Sequence, residues 1–508
     1  MLNNRLITSM ITCCCLIVTI QATAQGSDSL PAPVNSFLFE KDLRFFTPHA
    51  GLLPVSPVQQ FNRVELSYDA ERGDYKLSQA AANSKSIRFI TEGVKQIKQF
   101  RVSGHFKYLR HIADSVGNTM LYKPEGELFQ PYYFFAQKKG NWDKHQYDLQ
   151  GNLSYAIPGT NLFPYLQVSY VNDVATRSND PRPSNTGFAL NGILGIGYQF
   201  SEKHYLAAGY LLGKKVNESS ITYKNDAFQQ SNLFPEYNNF LLMGYGFYRS
   251  WRTNQSMYHT VQQSGFQGQY RGQFSFGEIA LEGQWELASS SYTRRATSIT
   301  SAEIRYGSDG QDLLQVKARW SHRFGPVQAR LLADYQSMLV RDFNPLLNSN
   351  NYVGSWESIR LQPIVGWEHK NRLKAEMLLN AELSNRYKAD GNTDHAVNNQ
   401  FANLSMAPAF YVYGGKKSIW RMEVNFGYRW AVSGEWIIPD AQQTMFTKNV
   451  VLPDFDYFNS NITELGASLS WQGKMKKNGI YSKLGFYQQS TASKANRQFL
   501  SLRLGLII

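Results

Sequence analysis

The chain has 508 residues, a formal net charge of +13, 14% aromatic residues and 38 glycines. Its mean hydropathy of −0.40 and the lack of a second long apolar segment exclude an α-helical membrane protein. Lys and Arg are dispersed at alternating positions instead of clustered, which favours a channel lining or contacts with anionic surface lipid over nucleic acid.

The first 24 residues are predicted to be a secretory signal peptide. A short polar start containing Arg5 precedes an apolar run over 6–20, and small residues at 22 and 24 supply the cleavage pattern. The mature chain is therefore expected to begin at Gln25. A lipoprotein signal is the alternative, because three cysteines occur at 13–15, but they lie inside the apolar run instead of after it.

No cysteine follows the signal peptide. In an oxidising envelope compartment, a large exported chain needs either well-placed disulfides or none. Structural zinc–thiolate sites, iron–sulfur clusters and cysteine nucleophiles are thereby excluded from the mature chain.

Two stretches precede the long strands. Residues 25–60 contain five prolines and show no strong period, which predicts an irregular segment that is a tether, a plug inside a barrel, or disordered. Residues 61–97 resemble short strands that form either the first strands of a barrel or a small plug hairpin. The predicted domains are the signal peptide at 1–24, the irregular segment at 25–60 and a barrel at 61–508.

From about Phe100 onward the dominant hydrophobic period is two, as in half-buried strands. The clearest case is 419–431, where apolar residues from Trp420 to Trp430 share one face and Arg421, Glu423 and Arg429 share the other. The two tryptophans are separated by roughly 33 Å of strand. Tilted by about 40°, this becomes roughly 25 Å, the height of the apolar band in a transmembrane barrel.

A hairpin supports the same assignment of faces. If Gly325-Pro326 is a two-residue turn, Trp320 lies opposite Leu331 on the lipid face, and Lys317 lies opposite Asp334 on the inner face. Two strands interpreted independently then agree on which side faces lipid, as pairing requires. The chain also ends within an amphipathic strand of alternating leucines, which is typical of barrels closed by their last strand.

Connections alternate between short ones, near 158–161, 325–326 and 370–371, and long ones, such as 173–186 and 433–460. This is the signature of short periplasmic turns and long extracellular loops. Strands between 240 and 310 cannot be assigned securely. The predicted fold is an all-β, antiparallel up-and-down transmembrane barrel of about 16 strands, within a range of 14–18. A soluble sandwich, propeller or solenoid is the alternative, but its strands would be shorter and no internal repeat is found.

No catalytic motif emerges. The nine histidines are scattered without HExxH or GxSxG spacing, and His105 is interpreted as a lumen-lining residue. Rows of acids, as on 278–288, are interpreted as partners of neighbouring Arg and Lys that set the field of a channel. We therefore expect no catalytic residue, cofactor or metal. The predicted lumen-lining residues are Lys317, Arg319, Arg323, Arg330, Asp334, Glu282, Glu286, Arg421, Glu423 and Arg429.

The export signal ending in Ala22-Thr23-Ala24-Gln25, the Arg177…Asp180-Pro181-Arg182-Pro183 loop and the long amphipathic strands together resemble an uncharacterised family of Bacteroidota outer-membrane β-barrels. That resemblance implies an envelope location and work near TonB-dependent uptake systems, with no established catalytic residues. The chain is too short to be a TonB-dependent receptor itself, which needs a 22-strand barrel and a plug domain.

The sequence thus predicts an exported, non-catalytic protein of a Gram-negative outer membrane. Its role is expected to be that of a porin-like channel or an accessory component of nutrient uptake. The alternatives are a barrel-embedded hydrolase of envelope lipid or peptide and a structural or adhesion barrel. Expected partners are outer-membrane lipid and lipopolysaccharide, with a TonB-dependent receptor or surface lipoprotein as a further candidate, and no nucleic acid.

Overall fold

The structure, a computed structural model, describes residues 33–123, 128–251, 256–294, 303–415, 417–475 and 478–508. These residues form two α-helices, α1 (Phe37–Phe46) and α2 (Leu452–Phe458), and 21 strands. In chain order the strands are β1 (Phe61–Gly73), β2 (Asn83–Ile97), β3 (Phe100–Val116), β4 (Tyr132–Phe135), β5 (Gly140–Tyr155), β6 (Leu162–Arg177), β7 (Arg182–Ser201), β8 (His204–Thr222), β9 (Phe240–Met243), β10 (Tyr248–Ser250), β11 (Met257–Phe274), β12 (Gly277–Arg294), β13 (Ile304–Phe324), β14 (Val327–Phe343), β15 (Tyr352–His369), β16 (Arg372–Asp390), β17 (His395–Gly414), β18 (Ser418–Ile437), β19 (Ile462–Met475), β20 (Asn478–Thr491) and β21 (Asn496–Ile507).

Eighteen of the described strands, all except β4, β9 and β10, form one antiparallel sheet in which chain neighbours are also sheet neighbours. The sheet closes on itself because β1 pairs with β2 on one edge and with β21 on the other. The register of the closing pair sets Val64 opposite Leu506 and Ser67 opposite Arg503. The chain therefore forms a closed up-and-down barrel, in which no sheet edge is left unpaired among the described wall strands.

The barrel has 18 strands where the sequence predicted about 16. Sixteen strands come from the part of the chain that starts at Phe100, and β1 and β2 supply the other two. Residues 61–97 therefore form full wall strands instead of a separate plug hairpin. The sequence-based number was low because it counted only from Phe100 onward.

The predicted division of faces is confirmed. On β18 the side chains of Trp420, Met422 and Phe426 point outward and are 41–50% exposed, whereas Arg421 between them is 3% exposed. The predicted hairpin register is confirmed as well, since Trp320 pairs with Leu331 and Lys317 pairs with Asp334. Large apolar side chains thus cover the outside of the barrel, and charged side chains face its lumen.

The two ends of the barrel differ. Short connections such as 98–99, 202–203, 275–276 and 325–326 lie at one end, together with the start of β1 and the end of β21. The opposite end carries the long connections 117–139, 223–256 and 438–461. The unassigned stretch 240–310 contains β11 and β12, and the predicted long loop at 173–186 is instead a tight connection between β6 and β7.

Two groups of residues occupy the barrel. Residues 33–60, which we call the plug, contain α1 and a 3₁₀ helix over 50–55 and lie inside the lumen near the short-turn end. Strands β4, β9 and β10 form a separate three-stranded sheet within the long connections. None of the described helices is long and apolar enough to span a bilayer. The predicted signal peptide and cleavage site lie outside the described residues.

Candidate functional site: the plugged and capped lumen

Helix α1 of the plug is fixed to the barrel wall by its N-terminus. The carboxylate of Glu376 on β16 accepts the backbone N–H of Phe37 at 3.0 Å and that of Leu38 at 3.1 Å. The first N–H groups of a helix have no partner within it and carry partial positive charge, so an acid is stabilising there. Tyr411 donates a hydrogen bond to the same carboxylate and accepts one from Arg421 at 2.9 Å. Glu376 thus joins the plug to β16, β17 and β18.

The middle of α1 is held by an acid between two arginines. Asp42 lies 2.7 Å from Nε of Arg319 and 2.9 Å from Arg330, two residues on the neighbouring strands β13 and β14. Arg319 also contacts Glu278 at 2.7 Å, and its guanidinium stacks 5.1 Å from the ring of Phe46 on the plug. Both arginines were predicted to line the lumen, and the structure shows that they bind the plug.

The segment after α1 contacts a third pair of predicted residues. Nε2 of His49 lies 2.9 Å from Glu282 on β12, whose carboxylate is also 3.6 Å from Nζ of Lys317. Glu282 is 3% exposed, and its other oxygen accepts a hydrogen bond from Gln267 at 3.3 Å. This contact ties the plug to the side of the lumen that carries β12 and β13.

Backbone carbonyls of the plug are bound by the remaining wall. Arg101 on β3 donates to the carbonyls of Pro54, Ser56 and Val58 at 3.0–3.1 Å. Tyr205 on β8 donates to the carbonyl of Gly51 at 2.7 Å. Because an irregular segment has no ladder of its own to satisfy its carbonyls, side chains of the wall take that role. The plug therefore contacts strands around most of the barrel.

Three other predicted lumen residues do not meet at one site. Glu286 accepts from Gln263 and Gln284, and Arg323 binds Glu368 at 2.7 Å at the short-turn mouth, where its side chain is 55% exposed. Asp334 faces Lys317 in register, but one of its buried oxygens has no hydrogen-bond partner among the described residues. These three residues therefore line separate parts of the lumen.

Glu423 and Arg429, also predicted to line the lumen, lie at different heights on β18. Glu423 accepts from Ser468 at 3.2 Å and Lys483 at 3.3 Å, and it also pairs with Arg421. Arg429 binds the hydroxyl of Tyr75 and donates to the carbonyl of Tyr457 at 2.7 Å. Arg429 thus connects the loop after β1 with α2 of the long connection 438–461.

The described residues of the long connections 117–139, 223–256 and 438–461, which we call the cap, cover the long-loop end. The three-stranded sheet lies at the centre of this cap. One of its faces packs on the barrel rim, where Tyr132 and Phe134 contact Tyr292 and Trp251 in a buried cluster. The other face packs against the connection 438–461 through Phe135 and other apolar residues. Apolar burial on both faces fixes the sheet across the opening, since each buried aromatic side chain stabilises by about 2–3 kcal/mol.

Two acids at the ends of wall strands anchor the cap. Asp390, at the end of β16, accepts the backbone N–H groups of Tyr245, Gly246 and Phe247 at 2.7, 3.0 and 3.2 Å through one oxygen. Asp342, at the end of β14, accepts the hydroxyl of Tyr132 at 2.6 Å. Each carboxylate supplies hydrogen bonds that the cap residues cannot make among themselves.

The Arg177–Pro183 loop is also anchored. Asp180 accepts the backbone N–H groups of Lys224 and Asn225, both at 3.0 Å, and binds Arg182 at 2.8 Å. Its carboxylate therefore holds the connection after β8 against the connection between β6 and β7. The charged residues of this loop serve the local structure of the rim.

Asp454 connects α2 to the loop after β1. Its carboxylate accepts the backbone N–H of Ser78 at 2.7 Å. Burial of Asp454 within the connection 438–461 raises its pKa to about 6, because desolvation disfavours the charged carboxylate. The protein thus uses this acid in a structural contact. No group of three His, Cys, Asp or Glu side chains that could hold a metal ion is found among the described residues.

Beneath the cap lies a cavity of about 950 Å³, which we call the chamber. It is lined by the inner faces of strands from most sides of the barrel and by residues 121–123 and 128–130 of the cap. Basic residues outnumber acidic ones in its lining. The basic residues are Arg88, Lys123, Lys144, Lys215 and Arg503, and the acids are Asp69, Glu71 and Asp173.

Sequence reasoning missed the residues that join the plug and cap to the wall, namely Asp42, His49, Glu376, Asp390 and Asp342. Asp42 lies on an amphipathic helix next to Phe45 and Phe46, and this helical pattern was a signal that the segment folds. Glu376 could not be distinguished by pattern from other inner-face acids, because its role depends on a helix far away in the chain.

The fold and its contents define a class: a closed barrel with a lumen that is plugged at one end and capped at the other. The chain belongs to the family described as "Family of unknown function (DUF6850)", which matches residues 50–508. No curated protein matches the sequence.

Solved outer-membrane proteins show low similarity to the chain. The copper transporter OprC is 6% identical, with 88% of this chain and 80% of that chain covered and a TM-score of 0.43. The siderophore receptor PiuA from Acinetobacter baumannii is 10% identical, with coverage of 88% and 81% and a TM-score of 0.41. The outer membrane protein opdK from Pseudomonas aeruginosa is 10% identical, with coverage of 89% and 99% and a TM-score of 0.36.

Proposed function

We propose that this protein is a gated, non-catalytic channel of a Gram-negative outer membrane that takes part in nutrient uptake. The observation that carries the proposal is the plug, which occupies the lumen at the short-turn end and is held to the wall by ion pairs and hydrogen bonds as well as by several separate apolar clusters. Contacts such as Asp42 with Arg319 and Arg330 can be replaced by water when the plug moves, which suits a segment that opens and closes.

The location is supported by the barrel exterior. Apolar side chains from Trp420 to Trp430 cover a height that fits the hydrocarbon core of a bilayer, and short turns lie at one end of the barrel and long loops at the other. We expect direct contacts with outer-membrane lipid and lipopolysaccharide. A TonB-dependent receptor or a surface lipoprotein is the partner that the resemblance suggests, and the capped long-loop end is where it would meet the barrel.

Single-channel conductance in planar bilayers tests the gate. We expect the wild-type protein to be closed most of the time, because the plug and cap obstruct the lumen. The full-length variant Asp42→Ala with Glu376→Ala removes two plug anchors and should raise the open probability at least about tenfold, since breaking a buried ion pair costs about 3–5 kcal/mol. Glu382→Ala is the matched control, because Glu382 lies on the same face of β16 but binds Arg360 instead of the plug.

A disulfide between the plug and the wall tests the same idea in reverse, because it should hold the pore closed. Residues 16–508 contain no cysteine, so Leu38→Cys with Gly366→Cys creates the only cysteine pair there, at a place where a side chain at position 366 would meet that of residue 38. Oxidation should keep the pore closed even in the Asp42→Ala, Glu376→Ala background, and reduction should reopen it. A plug-released variant that folds and inserts yet conducts no better than wild type would contradict the channel and favour a structural barrel.

A further inference from the structure

We infer that the chamber is a binding site for small anionic solutes that carry a carboxylate or phosphate group together with hydroxyl groups. This inference rests on the proposed function, because it names the class of solute that the gated lumen would admit. It is carried by the positions of two lysines, the incomplete compensation of their charge and several unsatisfied buried polar groups.

The two lysines line one part of the chamber, which we call the hollow. Lys144 lies on β5 and Lys215 lies on β8, and strands β6 and β7 separate them in the sheet. Ala175 on β6 pairs with Lys144 and Ala189 on β7 pairs with Lys215, and the inner-face pair between these two heights is Asp173 with Gly187. Both lysines border the open space of the chamber, which leaves room for a ligand where a packed wall would leave none.

The positive charge of this hollow is only partly compensated. Asp173 lies 3.9 Å from Lys144 and its charge also attracts Lys215, but Lys215 forms no hydrogen bond or ion pair with any described residue. Glu71, a second acid of the chamber lining, forms an ion pair with Arg497, which lies outside the lining. A cation that is held in a low-dielectric lumen without a direct hydrogen bond or ion pair is stabilised by an incoming anion, and such charges set the solute preference of barrel lumens.

Neutral polar groups next to the lysines also lack partners. His259 is 6% exposed, stacks on Tyr292 at 4.3 Å, and has no hydrogen bond to either ring nitrogen among the described residues. Asn185 donates to the carbonyl of Met120 at 2.8 Å, but its buried side-chain oxygen has no described partner. Both side chains line the chamber. Such groups are costly when they are left unsatisfied, so they predict a ligand with hydroxyl groups.

The volume of the chamber sets the size of the solute. About 950 Å³ accommodates a solute of one or two sugar units with its water, and it falls at the upper end of the range for small-molecule sites. A solute with one anionic group and several hydroxyls would place its charge between Lys144 and Lys215. Its hydroxyls would then meet His259, Asn185 and Asn217, which line the same chamber.

Titration calorimetry on the intact, detergent-solubilised protein tests the inference with three probes of similar size: glucose, glucuronate and glucose 6-phosphate. We expect at least one of the two charged sugars to bind about tenfold or more tightly than glucose, and the stronger one identifies the anionic group. Lys215→Gln and Lys144→Gln should each weaken that binding about tenfold, which corresponds to the loss of one ionic contact. Lys214→Gln is the matched control, because Lys214 is the chain neighbour of Lys215 on the exposed, outer face of the same strand.

Equal affinity for glucose and both charged sugars, binding of none of them, or an equal loss in Lys214→Gln and Lys215→Gln would each overturn the inference. Heat-modifiable migration on a gel checks that each variant is folded. Because binding is measured without a membrane, it is independent of conductance. A protein that binds charged sugars but never conducts would contradict the gated channel and support the binding site in the chamber. A protein that conducts after release of the plug but binds no charged sugar would contradict the binding site alone.

Discussion

The carboxylate of Glu376 accepts the backbone N–H of Leu38 at 3.1 Å, although the two residues are 338 positions apart in the chain. This contact joins the first turn of the plug helix to strand β16. The N-terminus of the plug helix is thus held by a single acid of the wall.

Glu376→Ala should loosen the plug without unfolding the barrel. Leaving two helix N–H groups without an acceptor costs about 1–3 kcal/mol. Amide hydrogen exchange over residues 36–46 should therefore become roughly 5- to 150-fold faster. Glu382→Ala should leave that exchange unchanged, and unaltered exchange in Glu376→Ala would show that the helix is held by its other contacts.

Asp390→Asn should open the cap. The substitution places an amide N–H₂ or a weaker acceptor against three converging backbone N–H groups of residues 245–247. We expect limited proteolysis to cut the connection 223–256 at least about fivefold faster than in wild type, because a lost charge-assisted contact costs roughly 1.5–3 kcal/mol. Asp394→Asn is the control, since Asp394 is exposed in the adjacent tight turn. Equal cleavage of both variants would contradict the anchoring role of Asp390.

Phe426→Lys should destabilise the barrel in lipid. Phe426 is 41% exposed on the outer face, midway between Trp420 and Trp430, and a lysine near the bilayer midplane costs about 2–4 kcal/mol. The neighbouring Asn425→Lys places the same charge on the inner face and should cost much less. Urea unfolding from phosphatidylcholine vesicles measures both, and similar losses would contradict the assignment of the outer face to hydrocarbon.

The burial of Asp454 should become less favourable as the pH rises. Burial raises the pKa of Asp454 to about 6, above its value of about 3.8 in an unfolded chain, so the fold favours the protonated acid. The resulting stabilisation is complete below about pH 3.8 and is lost as the pH rises through about 6. Exchange of residues 450–460, corrected for the intrinsic pH effect, should thus be more protected at about pH 5 than at about pH 7.5.

Asp454→Asn should remove most of this pH dependence, because the amide keeps an acceptor for the N–H of Ser78 but does not ionise. Asp456→Asn, two residues along the same helix and exposed, should retain it. A wild-type protein with equal protection at both values of pH would contradict the buried position of Asp454.

The outer and inner faces of the wall were predictable from the sequence because strand direction is a local property. Successive side chains of a strand point to opposite sides, so the common face of the tryptophans at 420 and 430 and the pairing of Trp320 with Leu331 follow from spacing alone. Lipid then requires one of the two faces to be apolar. The barrel, its two faces and one hairpin register are therefore properties that the amino-acid sequence determines by itself.

What the lumen contains was decided only by the tertiary structure. An arginine such as Arg319 on an inner face has the same sequence pattern whether it meets water, a solute or the acid Asp42 of a plug that precedes it by 277 residues. The same holds for Lys215, whose surroundings depend on which strands lie beside β8. Period-two alternation sets the direction of a side chain, but the group that it meets is set by barrel closure and by the path of residues 33–60, which bring together parts of the chain hundreds of residues apart.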